Sequence, residues 1–134
     1  MPIQSINTPR VLIIDDDPDI IYALSCILEK SSYEVRCASS VDIALGIIEA
    51  WQPHIVLSDY QLGNKTGGDL IEAIRQQFPE QISTIKFVLL TGNAITTKED
   101  PRCNGILVLE KPIRFSVLIE ALLFLLSSEE TPAY

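Results

Sequence analysis

Residues 11–20, VLIIDDDPDI, decide how this chain is expected to fold. Val11 to Ile14 is a continuous apolar run, typical of a short strand that is buried on both faces of a parallel sheet. The run ends at three aspartates, and the Pro18 that follows them is well tolerated in the first turn of a helix. Beyond it, apolar residues recur with helical spacing at positions 20, 21, 24, 27 and 28. The stretch therefore predicts a buried strand, an acidic turn and a helix.

The same alternation of apolar runs and helical stripes continues along the chain. Further strands are predicted at residues 33–38, 55–57, 87–90 and 106–109, and further helices by apolar stripes at 41–48, 70–78 and 115–126. Gly63 to Gly68 is expected to be a loop. The segment 91–105 is polar, contains Pro101 and lacks a helical period, so only a short or irregular helix is expected there. Strands that alternate with helices predict an α/β domain whose parallel sheet is covered on both faces.

Size and composition fit one domain that needs no disulfide or structural metal. The chain has 134 residues, of which 47% are hydrophobic, and this is enough to bury a core. Its net charge of −8 argues against general affinity for nucleic acid and favours a cation or a basic protein surface as partner. Cys26, Cys37 and Cys103 lack metal-ligand spacing and are odd in number, so free thiols in a reducing compartment, the cytoplasm, are expected. No signal peptide or membrane span is predicted.

Five polar residues follow the ends of predicted strands. Asp15 and Asp16 follow the first strand, Asp59 the third, Thr91 the fourth and Lys111 the fifth. Taken singly, each would be an ordinary turn or cap residue. In a doubly wound sheet, however, ligands bind beyond the carboxyl ends of the strands, where all five residues are expected to meet. Their coincidence predicts a functional site at this edge.

The residue types at this edge predict a particular chemistry. Three carboxylates brought together repel one another unless a cation or protons offset their charge. A set of oxygen ligands without histidine or cysteine suits Mg²⁺, or Mn²⁺ in its place. A metal beside a carboxylate, a lysine and a hydroxyl is suited to phosphoryl transfer, which depends on positioning and charge neutralisation. Asp59 would then be the nucleophile and would become an acyl phosphate.

Five motifs, in order VLIIDDDPDI, IVLSDYQLG, TGGDLIEAIR, FVLLTG and VLEKPI, resemble the receiver domain of bacterial response regulators and hybrid histidine kinases. The resemblance covers residues 9–127 and leaves 1–8 and 128–134 as expected flexible tails. It implies a flavodoxin-like fold, a doubly wound parallel sheet of five strands in the order 2-1-3-4-5. It also implies phosphorylation of Asp59 by a phosphohistidine of a histidine kinase or phosphotransfer protein. Signalling would proceed through protein contacts, and the chain would catalyse only its own phosphorylation and dephosphorylation.

The resemblance also implies residue roles in the metal site. Asp16 and Asp59 would ligate Mg²⁺ directly, together with the backbone carbonyl of Gln61, and Asp15 would act largely through water. Thr91 would bond a phosphoryl oxygen and signal the change.

Two further roles concern the phosphoryl group. Lys111 would pair with it, and the Lys111–Pro112 peptide bond is cis in the family. The residues two beyond Asp59 and Thr91, here Gln61 and Asn93, would influence dephosphorylation. Neither is acidic, so spontaneous dephosphorylation is not expected to be especially fast.

Some positions depart from the family pattern. Val108 stands three residues before the lysine, where a Tyr or Phe usually reports phosphorylation, and Gly63 stands where a Pro is often found. The segment between Thr91 and Lys111 is also somewhat compressed. In these features the sequence is more similar to the receivers of hybrid kinases than to the receivers of DNA-binding regulators. No output segment follows Leu126, so either a stand-alone receiver, mildly favoured by the initiating methionine, or a piece of a larger protein is expected.

The last predicted helix is more apolar than one buried face requires. A wide core face is one explanation, and a dimer or partner interface is the other. The sequence leaves three other functions to consider. A receiver-like adaptor that works without phosphorylation is the main alternative. A phosphatase of the haloacid dehalogenase type is suggested by the DxD pattern from Asp15, but the acidic pair it needs after the lysine is missing. Flavin binding is opposed by the three aspartates, which would repel a cofactor phosphate.

Overall fold

A computed structural model describes residues 8–129 of the chain, apart from the side chains of the last two. The elements, in chain order, are β1 (Arg10–Ile14), α1 (Pro18–Lys30), β2 (Glu34–Ala38), α2 (Val41–Trp51), β3 (Ile55–Asp59), β4 (Gln61–Leu62), β5 (Lys65–Thr66), α3 (Gly67–Gln77), α4 (Pro79–Ile82), β6 (Lys86–Thr91), α5 (Ala94–Lys98), a 3₁₀ turn (Pro101–Cys103), β7 (Leu107–Glu110) and α6 (Phe115–Glu129).

The main sheet has five parallel strands in the order β2-β1-β3-β6-β7. In terms of the five predicted strands this is 2-1-3-4-5, so the predicted doubly wound α/β fold is confirmed. Because every neighbouring pair is parallel, each connection must cross over the sheet, and the crossovers carry the helices. β1 and β3 are neighbours in the interior of the sheet. The connection after β1 leads to β2 on one side of this pair, and the connection after β3 leads to β6 on the other side. The carboxyl ends of these strands thus open at the switch point of the sheet.

Two apolar clusters, one on each face of the sheet, explain why the apolar runs of the interior strands β1, β3 and β6 are uninterrupted. Side chains alternate along a strand, so Leu12 and Ile14 join one cluster while Val11 and Ile13 join the other. The first cluster is completed mainly by α2 and α3, and the second by α1 and α6. All four side chains of the β1 run are fully buried. The acidic turn after Ile14 is therefore held on a rigid strand.

Side-chain caps fix the starts of the first two helices. Asp17 accepts a hydrogen bond from the Asp19 backbone N–H at 2.9 Å, directly before Pro18, the first residue of α1. Ser40 caps α2 by accepting from the Ile43 N–H at 3.2 Å. Such caps satisfy backbone N–H groups that have no partner within the helix. Each of these helices therefore starts at the residue after its cap, Pro18 in α1 and Val41 in α2.

The expected loop from Gly63 to Gly68 is partly wrong. β4 and β5 form a small antiparallel hairpin, with Gly63 at a φ of 67° in its turn, and Gly67 and Gly68 already belong to α3. A Cβ added at Gly67 would lie 2.7 Å from the Leu89 side chain, so a larger residue there would force Leu89 to move. The one-turn helix α4 was not predicted. The short helix expected within residues 91–105 is confirmed as α5 and the 3₁₀ turn.

The last helix, α6, has 15 residues and ends at Glu129. Leu118 and Leu122 are fully buried, whereas Leu123 and Phe124 are 54% and 69% exposed, so the predicted excess of apolar surface is present. Within residues 8–129 no helix is long and apolar enough to cross a membrane. The predicted tails at 1–8 and 128–134 lie outside the described residues, except for Thr8 and the end of α6.

Candidate functional site

The strand register brings the predicted site residues to one edge of the sheet. Ile14 pairs with Ser58, so Asp15 follows β1 beside Asp59, the last residue of β3. The Tyr60 backbone N–H donates to the Leu90 carbonyl at 2.8 Å, and the Lys111 N–H donates to the Thr91 carbonyl at 2.7 Å. Backbone bonds thereby continue across the edge from β3 to β6 and from β6 to the residue after β7. Asp15, Asp59, Thr91 and Lys111 all lie at the carboxyl ends of neighbouring strands.

Asp15, Asp16 and Asp59 form an acidic cluster at this edge. Each offers one carboxylate oxygen, and the three oxygens lie within 4.8 Å of one another. Asp15 is buried, the Asp59 side chain is 13% exposed and Asp16 faces solvent. Like charges at this separation destabilise the ionised state unless a cation or protons compensate. The cluster is therefore buried at Asp15 and open to solvent at Asp16, so an ion could enter it from solvent.

The two oxygens of Asp15 have different surroundings. Oδ1 accepts a hydrogen bond from the Asp17 backbone N–H at 2.9 Å, while Oδ2 is buried and has no hydrogen-bond partner among residues 8–129. Burial is the main cause that raises the pKa of Asp15; the Asp17 bond lowers it and the neighbouring Asp59 raises it further. A buried carboxylate oxygen without a partner is costly. A hard divalent cation with oxygen ligands would offset that cost, so the residues present fit the expected metal.

Lys111 supplies the positive charge next to Asp59. Its Nζ lies 3.2 Å from Asp59 Oδ2, and the lysine side chain is 34% exposed. The other oxygen, Oδ1, accepts from the Gln61 backbone N–H at 3.4 Å, a weak contact. The Lys111–Pro112 peptide bond is cis, as the resemblance implied. Asp59 thus lies between an ammonium group and two carboxylates.

Thr91, which ends β6, is buried, and its hydroxyl lies among other polar groups. Thr91 Oγ1 accepts from the Asn93 backbone N–H at 3.1 Å and lies 2.9 Å from Thr97 Oγ1. The Asn93 side chain caps α5 by accepting from the Thr96 N–H at 3.1 Å, and Gln61 is exposed. Thr91, Asn93 and Gln61 line a shallow cavity of about 250 Å³. Gln61 and Asn93, the two residues that the resemblance implied would influence dephosphorylation, therefore border the same cavity as Thr91.

A second polar cluster next to the site was not predicted from the sequence. The Tyr60 hydroxyl donates to Asp100 Oδ2 at 2.8 Å, and Arg102 bonds Asp100 at 2.9 Å and Asp69 at 2.7 Å. The Arg102 guanidinium is the main cause that lowers the pKa of Asp100 to about 2. The pattern Thr66-x-x-Asp69 is visible in the sequence as a capping box, and the structure contains it. Nothing in the sequence indicates that Arg102, 33 residues later, joins it.

Val108 occupies the position of the missing aromatic residue. It lies in β7, pairs in register with Leu89 and packs against the apolar cluster that α2 and α3 complete. A valine there has no ring or polar group that could extend towards the site. Among the described residues, Thr97 is the buried polar side chain that contacts Thr91 from outside its strand.

Together, the doubly wound sheet and the acidic edge with its lysine and buried threonine define an α/β domain whose acidic cluster could hold a metal ion. The chain matches the family model of the response regulator receiver domain over residues 11–123. It belongs to this family and is a receiver domain of two-component signalling. Receiver domains interact with histidine kinases or phosphotransfer proteins, and they are not enzymes in the usual sense.

Three similar proteins illustrate the match. The chain is 30% identical to the heme response regulator HssR of Staphylococcus saprophyticus over 70% of this chain and 40% of that protein. It is 30% identical to the sensor histidine kinase GacS of Pseudomonas protegens over 71% of this chain and 10% of that protein. A crystal structure of a CheY-like receiver domain protein from Methanospirillum hungatei has a TM-score of 0.81 and 28% identity, covering 92% of this chain and 98% of that one. The chain spans less than half the length of both curated relatives.

Proposed function

We propose that this receiver domain accepts a phosphoryl group on Asp59 from a phosphohistidine, in a Mg²⁺-dependent reaction, and signals through protein contacts. The observation that carries the proposal is the position of Asp59. It lies 3.2 Å from the Lys111 ammonium and shares an acidic cluster with Asp15 and Asp16. An aspartate that only forms a turn requires neither a nearby ammonium group nor a nearby pair of carboxylates, whereas a phosphoacceptor requires both.

The acidic cluster would hold the metal. Asp16 and Asp59 would contact Mg²⁺ directly with the backbone carbonyl of Gln61, and Asp15 would reach it mainly through water; Mn²⁺ could substitute. When bound, the cation would neutralise charge on the phosphoryl oxygens and allow a carboxylate to approach them. The buried, unpartnered oxygen of Asp15 supports this assignment.

The chain's own residues would then carry the transfer. An Asp59 carboxylate oxygen attacks phosphorus; an O–P bond forms, the N–P bond to the donor imidazole breaks, and that nitrogen takes up a proton from solvent. Lys111 pairs with the phosphoryl oxygens, and the Thr91 hydroxyl donates to one of them. Hydrolysis of the acyl phosphate by water is not especially fast, because neither Gln61 nor Asn93 carries a carboxylate that could orient the water.

The proposed partners are a histidine kinase or a phosphotransfer protein, and a second copy of the chain that binds through α6. Exposed Phe115, Val117, Leu123 and Phe124 support an interface on that helix. The net charge of −8 argues against direct binding to nucleic acid, and we propose no membrane contact.

The decisive experiment measures phosphoryl incorporation from acetyl phosphate or a phosphorylated kinase. We expect Mg²⁺-dependent labelling of the wild type, loss of labelling with EDTA, and loss in Asp59→Asn. Asp42→Asn is the matched control, because Asp42 is an exposed carboxylate that pairs with Lys65 on the surface. Undiminished labelling of Asp59→Asn would overturn the proposal.

A phosphorylation-independent adaptor is the second candidate, favoured by Val108 and the short α5. It predicts that the wild type takes no label from either donor. It also predicts that a partner protein binds the wild type and Asp59→Asn equally well. Equal binding without labelling would establish the adaptor.

A further inference from the structure

A recess of about 470 Å³ lies where β6 and β7 begin, at the edge of the sheet opposite the acidic cluster. Ile71, Ile85 and Phe87 of the first apolar cluster line it from one face of the sheet, and Leu125 of the second cluster lines it from the other. The recess therefore reaches between the layers of the fold and is not a flat surface. Mainly apolar recesses of about 300–1,000 Å³ are typical of small-molecule sites.

The recess is open to solvent. Gly105 lines it at a φ of 81°, and no atom of the described residues lies within 4 Å of the place where a Cβ would stand. The helix before it, α5, covers only Ala94–Lys98, and the 3₁₀ turn ends at Cys103. Phe124 also lines the recess and is 69% exposed. A ligand could therefore enter without displacing a side chain at Gly105.

Both charged side chains that line the recess are cations, Arg75 and Lys86. Arg75 pairs at 3.2 Å with Glu72, which does not line the recess. The Lys86 ammonium has no ion pair with any residue from 8 to 129. A recess lined by cations, in a chain with a net charge of −8, favours an anionic ligand. One unpaired ammonium matches a single negative charge.

We propose that the recess binds a small apolar carboxylate, such as a fatty acid, with its head at Lys86 and its chain against the apolar walls. The charge complementarity of Lys86 selects the head, and the depth of the recess between the layers selects a narrow chain. The inference does not rest on the proposed function, because the recess opens at the amino ends of the strands and Asp59 lies at a carboxyl end.

The first test is a chain-length series. Hexanoate, octanoate and decanoate are titrated into the full chain, at concentrations where each ligand is monomeric, and the amide chemical shifts of Gly105 and Leu107 report binding. Each added CH₂ should tighten binding about three- to fourfold until the recess is filled. An affinity that does not depend on chain length would contradict the proposal.

Two variants with matched controls locate the ligand. Phe124→Ala should weaken decanoate binding about three- to tenfold, because it removes a wall of the recess. Leu123→Ala, the neighbouring exposed position outside the lining, should leave binding unchanged. Lys86→Met keeps the apolar stem and should weaken decanoate binding about two- to fivefold. The same variant should not change the affinity for decanol, which has no charge, and Lys98→Met at an exposed lysine is its control.

The remaining outcomes concern other occupants and the other edge of the sheet. Asp59→Asn should bind decanoate like the wild type. The proposal is overturned if decanoate binding does not saturate, or if Phe124→Ala and Lys86→Met match their controls. Decanoate binding that weakens as protein concentration rises would assign the recess to a second copy of the chain. Binding of an acidic apolar peptide but not of decanoate would assign it to a partner protein. Either of these two results also overturns the proposal.

Discussion

Replacing Arg102 with methionine should destabilise the protein by about 2 kcal/mol at neutral pH, because the guanidinium holds two acidic residues of different elements. Arg102 bonds Asp100 through Nε at 3.0 Å and Nη2 at 2.9 Å, and Asp69 through Nη1 at 2.7 Å. The Asp100 side chain is 9% exposed, so its bonds carry most of the effect; Asp69 is 39% exposed, and solvent weakens that pair. Methionine keeps an apolar stem of similar length, so packing changes little.

The pH dependence gives the same prediction an independent check. Arg102 is the first cause that lowers the pKa of Asp100 to about 2 in the folded protein, below its usual value of 3.8. A carboxyl whose folded pKa is depressed contributes stability that is fully present above its unfolded pKa and is lost as pH falls through its folded pKa. The stability difference between wild type and Arg102→Met should therefore persist above about pH 4 and shrink between about pH 4 and 2.

Urea unfolding at neutral and acidic pH measures both effects, with fluorescence of Trp51, the only tryptophan of the chain, as the probe. The control is Arg75→Met, because Arg75 pairs with Glu72 on the surface at 3.2 Å and the pair is exposed. It should change stability by less than about 0.5 kcal/mol. If Arg102→Met and Arg75→Met unfold at the same urea concentration at neutral pH, the assigned role of the Arg102 cluster is refuted.

Three further predictions concern the metal, the last helix and the acyl phosphate. Mg²⁺ at ten times its dissociation constant should stabilise the wild type by about 1.4 kcal/mol in thermal unfolding, and EDTA should reverse this; Asp16→Asn should lose the effect, and an unchanged Mg²⁺ response would contradict the ligand assignment. Leu118→Ala, at a fully buried position, should lower the free energy of unfolding in urea by about 2–5 kcal/mol, whereas Leu123→Ala, at an exposed position, should lower it by less than about 0.5 kcal/mol. A large loss of stability in Leu123→Ala that depends on protein concentration would instead indicate a dimer through α6. The phosphorylated protein should lose its label over minutes or longer, and a lifetime of seconds would contradict the argument from Gln61 and Asn93.

Most of the fold could be predicted because the interior strands β1, β3 and β6 are buried on both faces. Such strands appear in the sequence as uninterrupted apolar runs, and the helices between them carry clear apolar stripes. The hairpin of β4 and β5 and the single turn of α4 escaped prediction because two to four residues are too few to show a period. The hairpin instead depends on a glycine with positive φ and a capping box, both of them local features.

The candidate site was predictable to the extent that strand ends define it. Once the sheet is parallel, Asp15, Asp59, Thr91 and Lys111 must share one edge, and no side-chain detail is needed to say so. The contacts that orient these groups were not predictable. Thr97 reaches Thr91 only because a five-residue helix turns back over the strand end, in a segment that has no hydrophobic period.

That segment, residues 91–105, is attached to the site largely by polar bonds. Thr97 contacts Thr91, Asp100 accepts from the Tyr60 hydroxyl, and Arg102 reaches Asp69 in the first turn of α3. Tyr60 directly follows the phosphoacceptor candidate Asp59, so two of these bonds end on residues that a phosphoryl group would contact or adjoin. Since Val108 has no ring to turn, we expect these polar bonds to carry the change from Asp59 to the surface of the segment.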